Sequence, residues 1–321
     1  MEPFGRAVNA RIAFYTEGGN RRGMGHLIRC KAIEEEFSRA GAETVFYLDS
    51  NTRYDHKYPG IRYFEWQKIE IDQYYDVVFI DSFEATVDTY SYIGKYARLL
   101  VCIDDFSRLL YPDSLIINFS SSFEDKFYEN YLSYRPLLGL DYVPIRNCFH
   151  GIKSISDNSK RIFIMLGGHD TAFISEAIAG LLEKDVLKFV VTGDPEAKVR
   201  LSAIPNTVVL YKPSDNELIA NMSMCDFAIT TASMSAYELN FLNIPSVILS
   251  VSENQHSGAW QLIENKISNG YVSTLDIDWE IKLKAQVDTF FYGGDINQVK
   301  VIDGFGTRRI VTSTMEILND E

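Results

Sequence analysis

Cysteine is scarce: four in 321 residues, Cys30, Cys102, Cys148 and Cys225, with no C-x-x-C pair among them. That excludes a zinc knuckle or a redox dithiol and points to a reducing, cytoplasmic setting. Proline is limited to nine residues, there is no polar low-complexity tract, and no segment repeats with a period of about 20 to 50 residues, which excludes a disordered chain and a solenoid. No apolar run reaches the roughly 18 residues of a membrane span, and Met1 to Ala10 lacks the apolar stretch of a signal peptide, so the expectation is a chain neither membrane-spanning nor exported. Positive charge is also in deficit. With 31 Lys and Arg against 44 Asp and Glu, the formal charge is -13, and its long-range field would repel nucleic acid and anionic membrane alike. A small anionic ligand stays admissible, because helix N-termini hold phosphate without a net positive surface.

What is present is an ordinary globular composition, 46% hydrophobic and 23% charged, at a length that suits two domains. Short apolar runs rich in β-branched and aromatic residues alternate with amphipathic stretches, the pattern of βα units around a mostly parallel sheet. In the first half the runs are 11–16, 44–48, 61–66, 76–81, 99–104 and 114–118, with helices over 26–39 and 86–96. Residues 150–160 are polar and aperiodic, a linker by composition. The alternation restarts with strands over 162–166, 188–192, 207–211, 227–230 and 246–250, interleaved with helices. A closing amphipathic helix covers 306–318. The expected fold class is α/β, two Rossmann-like domains facing a cleft: residues 1–155 and residues 156–321, with the last helix returning to the N-terminal domain.

Chemistry concentrates where strands turn into helices, since open α/β sheets bind ligands at the carboxyl ends of their strands. Gly23-Met24-Gly25-His26 stands at the first such turn. The third glycine of a dinucleotide fingerprint is replaced by Ile28, and no Gly-Lys-Ser/Thr follows, so neither a Rossmann fingerprint nor a P-loop is complete. His26 at a helix start suits a general base, and equally a helix cap; Arg29, one turn on, suits a phosphate or a solvated helix face. In the second half, Gly167-Gly168-His169-Asp170 and Thr231-Ala232-Ser233 are small turns ahead of helices that admit a diphosphate, with Glu238 placed for a ribose diol. Helix capping and a solvated glutamate are the plain alternatives. Asn254 and Gln255 end another strand and suit a sugar hydroxyl or a base edge. Asp104 and Asp105, with Asp81, offer carboxylates at strand ends, either as loop starts or as a Mg²⁺ site.

Taken in order, these segments resemble the UDP-sugar hydrolase family of pseudaminic acid biosynthesis, relatives of glycosyltransferases with the GT-B architecture. The likeness runs through Gly23 to Cys30, Ile103-Asp104-Asp105, Leu137-Leu138-Gly139, Tyr142 to Arg146, Leu166 to Asp170, Thr231-Ala232-Ser233, Glu238, Asn254-Gln255 and Asp303 to Gly306. The resemblance implies hydrolysis at the anomeric carbon of a UDP-linked diacetamido-trideoxy sugar. It makes His26 the catalytic base, Gly167, Gly168 and Thr231 to Ser233 the diphosphate holders, and Glu238 the ribose ligand. It implies no cofactor and no metal. Gly23, Gly25, Arg29, Asp104, Asp170, Asn254 and Gln255 complete the expected binding set.

Two departures bear on the sugar. Members often carry Asp-His-Tyr-Gly where this chain has Asp81-Ser82-Phe83-Glu84, and an Arg-x-Asp where it has Tyr15-Thr16-Glu17. The expected partner is therefore a nucleotide sugar whose base, uridine or cytidine, and whose sugar stay open, as does the oligomeric state. A GT-B glycosyltransferase and a catalytically degenerate nucleotide-sugar binder are the alternative functions.

Overall fold

The computed structural model describes residues 9–19, 22–120, 125–129, 131, 133–155, 159–167, 173–293 and 298–320. The chain divides into two compact units, Met1–Asn147 with Gly304–Glu321, and Cys148–Asp303. The division thus falls at residue 147, where the composition suggested 155.

Among the described residues the first unit holds seven parallel strands: β1 (Arg11–Glu17), β2 (Glu43–Asp49), β3 (Arg62–Phe64), β4 (Tyr75–Asp81), β5 (Ala97–Ile103), β6 (Leu115–Asn118) and β7 (Leu137–Leu138). Their spatial order is β3-β2-β1-β4-β5-β6-β7. The chain winds outward from β1 in one direction, then crosses back to start again at β4, so the switch point lies between those two strands. Helices α1 (Gly25–Arg39), α2 (Val87–Gly94) and α3 (Asp125–Tyr128) belong to this unit. Because helices cover parallel sheets on both faces, their strands read as near-continuous apolar runs; β4 is buried at every position but Asp76. The 61–66 run is shorter than expected, since Trp66 opens a 3₁₀ turn and donates its indole N–H to Glu17 at 2.9 Å.

The second unit holds β8 (Arg161–Met165), β9 (Leu187–Thr192), β10 (Thr207–Tyr211), β11 (Phe227–Thr230), β12 (Ser246–Ser250) and β13 (Gly270–Ser273) in the order β10-β9-β8-β11-β12-β13. Helices α4 (Ile174–Leu181), α5 (Pro195–Ser202), α6 (Asp215–Ser223), α7 (Met234–Phe241), α8 (His256–Glu264) and α9 (Trp279–Tyr292) accompany it. β7, β13, α3, α5 and α9 are additions to the sequence reading. α9 buries only Leu283 and Val287 fully, too narrow an apolar stripe to announce a helix. Helix α10 (Gly306–Asp320) packs within the first unit against α1.

Candidate active site

The glycine turn after β1 is closed by its own backbone. Gly19 and Gly23 exchange N–H···O bonds of 3.0 and 2.9 Å, with φ of +130° and +74°, conformations that glycine tolerates and other residues rarely adopt. Arg22 anchors the turn by bonding Asp49 at 2.9 Å and both oxygens of Glu84 at 2.6 and 2.5 Å. A side chain added at Gly25 would meet no protein atom within 4 Å. The first turn of α1 carries no acidic residue of its own.

That turn delivers His26 and, one turn later, Arg29 to the end of β4, at the switch point. His26 Nδ1 lies 2.6 Å from Asp81 Oδ1. Arg29 grips Asp81 through Nε and Nη2, both at 2.6 Å, and reaches Asp105 at 2.8 and 2.9 Å. The Cys30 thiol adds a longer 3.4 Å bond to Asp81. All three core members are buried, His26 at 5%, Arg29 at 6% and Asp81 at 0% exposure. Burial by itself would push the Asp81 carboxyl up, but the Arg29 guanidinium and His26 outweigh it and hold the group well below the usual carboxylate range. The Cys30 thiol is pushed well up by burial and by Asp81, so it remains protonated.

An ionised Asp81 only accepts, which fixes the histidine tautomer. Nδ1 must carry the proton that faces Asp81, and Nε2 is then the basic nitrogen. The 3.0 Å approach of Arg29 Nη2 to the same Nδ1 is therefore a contact between two donors sharing one carboxylate. The arrangement orients an imidazole, as a carboxylate orients the histidine of a nucleophile-activating triad. Asp81 and Asp105 were legible only as carboxylates at strand ends. Their partnership with α1 follows from the strand order, because β4 is the neighbour of β1 and β5 stands next.

Two further ties shape the wall beside His26. Glu17, buried at the end of β1, accepts from the Ser82 hydroxyl and from the Phe83 N–H at 2.9 Å. Arg108 donates to the carbonyls of Ser82 at 2.8 Å and Ala85 at 3.1 Å. The Phe83 ring stands edge-on to His26, with centroids 4.5 Å apart. Asp104, read from sequence as a ligand-binding residue, has a different occupation. Its two oxygens accept from the N–H groups of Phe106, Ser107 and Arg108 and from the hydroxyls of Tyr111 and Tyr128. It organises the loop that carries Arg108, while its neighbour Asp105 meets Arg29.

In the second unit the turns after β8 and β11 lie side by side. Gly167 has φ of +93°, and a Cβ there would sit 3.8 Å from Thr231 Oγ1. Thr230 ties the strands by donating to the Met165 carbonyl at 2.8 Å. Thr231, Ala232 and Ser233 form the mouth of α7; no acidic residue occupies its first turn, and Ser233 makes no side-chain cap there. A Cβ added at Gly258, in the first turn of α8, would lie 3.7 Å from the Ala232 methyl. Glu238 is buried in α7. Gln255 accepts from the Val251 N–H at 3.0 Å, so its carbonyl oxygen braces the loop after β12. Asn254 lies in the 3₁₀ turn Glu253–Gln255, its side chain outside the described residues, as are Gly168, His169 and Asp170. Among the described residues no cluster of three or more His, Cys, Asp or Glu is placed to hold a metal ion, and no helix is long and apolar enough to cross a membrane.

No family model matches the chain. It is 25% identical over 262 residues to the pseudaminic acid cytidylyltransferase and UDP-2,4-diacetamido-2,4,6-trideoxy-beta-L-altropyranose hydrolase of Helicobacter pylori, a match covering 79% of this chain and 47% of that protein. The chain thus spans about half the length of that relative. Among solved structures, Acinetobacter baumannii MurG superposes with a TM-score of 0.62 at 11% identity, covering 96% of this chain and 99% of that one. CalG4, the calicheamicin glycosyltransferase, gives 0.61 at 10% identity over 97% and 98%. The chain has the GT-B fold. Within a GT-B fold, shared architecture does not fix the reaction.

Proposed function

We propose that the chain is a nucleotide-sugar hydrolase of surface-sugar biosynthesis, releasing UDP and a free amino-sugar derivative. The observation that carries this reading is the buried His26–Asp81–Arg29 cluster at the switch point of the first sheet. Support comes from the motif resemblance and from the likeness to a protein named for such a hydrolase. In the reaction, His26 Nε2 takes a proton from water as the water oxygen bonds to the anomeric carbon. The bond from that carbon to the diphosphate oxygen breaks, and UDP leaves with the electron pair. Gly167, after β8, and Thr231, Ala232 and Ser233, at the mouth of α7, are assigned to the diphosphate, whose growing charge the helix N-terminus favours. Glu238 is assigned to the ribose.

Hydrolysis is tested by incubating the protein with UDP-linked acetamido sugars and following UDP by chromatography. UDP appears without any acceptor, and His26→Ala lowers the rate by about 10² to 10⁴. A His26→Ala protein of normal activity removes the mechanism. UDP release that strictly requires an added acceptor replaces hydrolysis with glycosyl transfer, the reaction named for CalG4.

A further inference from the structure

We infer that Phe83, backed by Phe106, is a specificity-determining residue that receives an apolar substituent of the sugar and rejects a hydroxyl in its place. The inference rests on the proposed nucleotide-sugar reading and adds which face of the sugar meets the protein beside His26.

Phe83 combines a fixed backbone with an exposed ring. Its N–H is held by Glu17, the preceding carbonyl by Arg108, and the residues after it by the Ser82 hydroxyl, which accepts from the N–H groups of Glu84 and Ala85 at 2.9 Å each. The ring nevertheless remains 48% exposed, and Phe106, stacked on it at 5.9 Å with a 27° tilt, is 59% exposed. Large apolar rings held open to solvent by buried polar ties, directly against a candidate base, form a surface for a ligand rather than a share of the core.

The hydroxyl and carbonyl of Ser82 and the N–H groups of Phe83, Glu84 and Ala85 are already occupied. The Ser82 hydroxyl donates to Glu17 and accepts two N–H groups, and the Ser82 carbonyl accepts from Arg108. What the turn presents beside His26 is a phenyl ring with no donor or acceptor. A sugar hydroxyl pressed against it would lose its water without gaining a partner. A methyl or a bare ring carbon would be dehydrated favourably.

The test uses UDP-N-acetylglucosamine and its 4-deoxy and 6-deoxy analogues, titrated calorimetrically into the His26→Gln protein so that binding is read without turnover. At least one deoxy analogue binds about 10- to 100-fold more tightly than the parent, and adding Phe83→Ala brings that ratio to within about threefold while UDP itself binds as before. Phe83→Tyr, which returns a hydroxyl to the wall, shifts the preference toward the hydroxylated sugar. Equal binding of all three sugars, or a preference untouched by Phe83→Ala, overturns the inference and leaves the nucleotide-sugar reading standing. Failure of UDP and all three sugars to bind overturns both. Since Phe83 is half exposed, its replacement does not threaten folding, and unchanged UDP affinity is the internal control.

Discussion

Asp81 receives side-chain donors from His26, Arg29 and Cys30 at a position with no solvent exposure. Asp81→Asn removes the charge that orients the imidazole and leaves Arg29 with Asp105 alone. Breaking a buried ion pair from one side costs about 3–5 kcal/mol, to be read by denaturant unfolding, and the rate of UDP release falls on the order of 10² to 10⁴ as the tautomer is lost. The linkage to pH has a definite sign. The folded-state pKa is depressed, so ionised Asp81 contributes stability that is complete above its unfolded value of about 3.9. That contribution is lost as pH falls through this value toward the lower folded one. Unfolding measured at neutral pH and at steps below pH 5 shows a steeper acid loss in the parent than in Asp81→Asn; parallel curves would contradict the assignment.

At the scale of elements, two contacts fix how α10 and the segment before it are held. Asn240 in α7 is fully buried and uses its whole amide. It donates to the carbonyls of Ile267 at 3.0 Å and Val299 at 2.8 Å, and accepts from the N–H groups of Val301 and Ile302 at 3.0 and 3.1 Å. Asn240→Ala leaves those backbone groups unpaired and is expected to lower stability by about 3 kcal/mol or more, seen as a shifted urea midpoint. Gly306 opens α10 against the Val143 backbone, where an added Cβ would lie 2.1 Å from the carbonyl oxygen. That oxygen is backbone and not the end of a flexible side chain, so Gly306→Ala has to displace the helix. Overpacking of this kind costs about 1–3 kcal/mol, and limited proteolysis would cut the C-terminal helix faster than in the parent.

For the whole molecule, nucleotide binding in the proposed function belongs to the second unit, and a binding experiment tests it separately. Saturating UDP, at about 100 times its dissociation constant, adds roughly 2.7 kcal/mol to the stability of what it binds, measured as a rise in the thermal midpoint. The rise persists in His26→Ala. It is lost when Thr231 and Ser233 are replaced by bulky acidic residues at the mouth of α7, because a fixed negative charge there opposes the diphosphate. An unchanged rise in that variant would take the nucleotide away from α7.

The amino-acid sequence by itself determined the two α/β halves and most of their strands, because parallel strands buried on both faces write themselves as apolar runs and glycine turns mark their carboxyl ends. It also singled out His26, Arg29 and the small turns after β8 and β11. Tertiary structure decided which partners His26 and Arg29 meet. Asp81 and Asp105 stand 55 and 76 positions from the α1 residues they bond, and only the β1-β4-β5 order brings them there. The same folding turned Asp104 inward to brace a loop and sent its neighbour to Arg29. A local pattern names the residue types at a strand end. Which strand lies beside which, set by the crossover, chooses the partner each carboxylate meets.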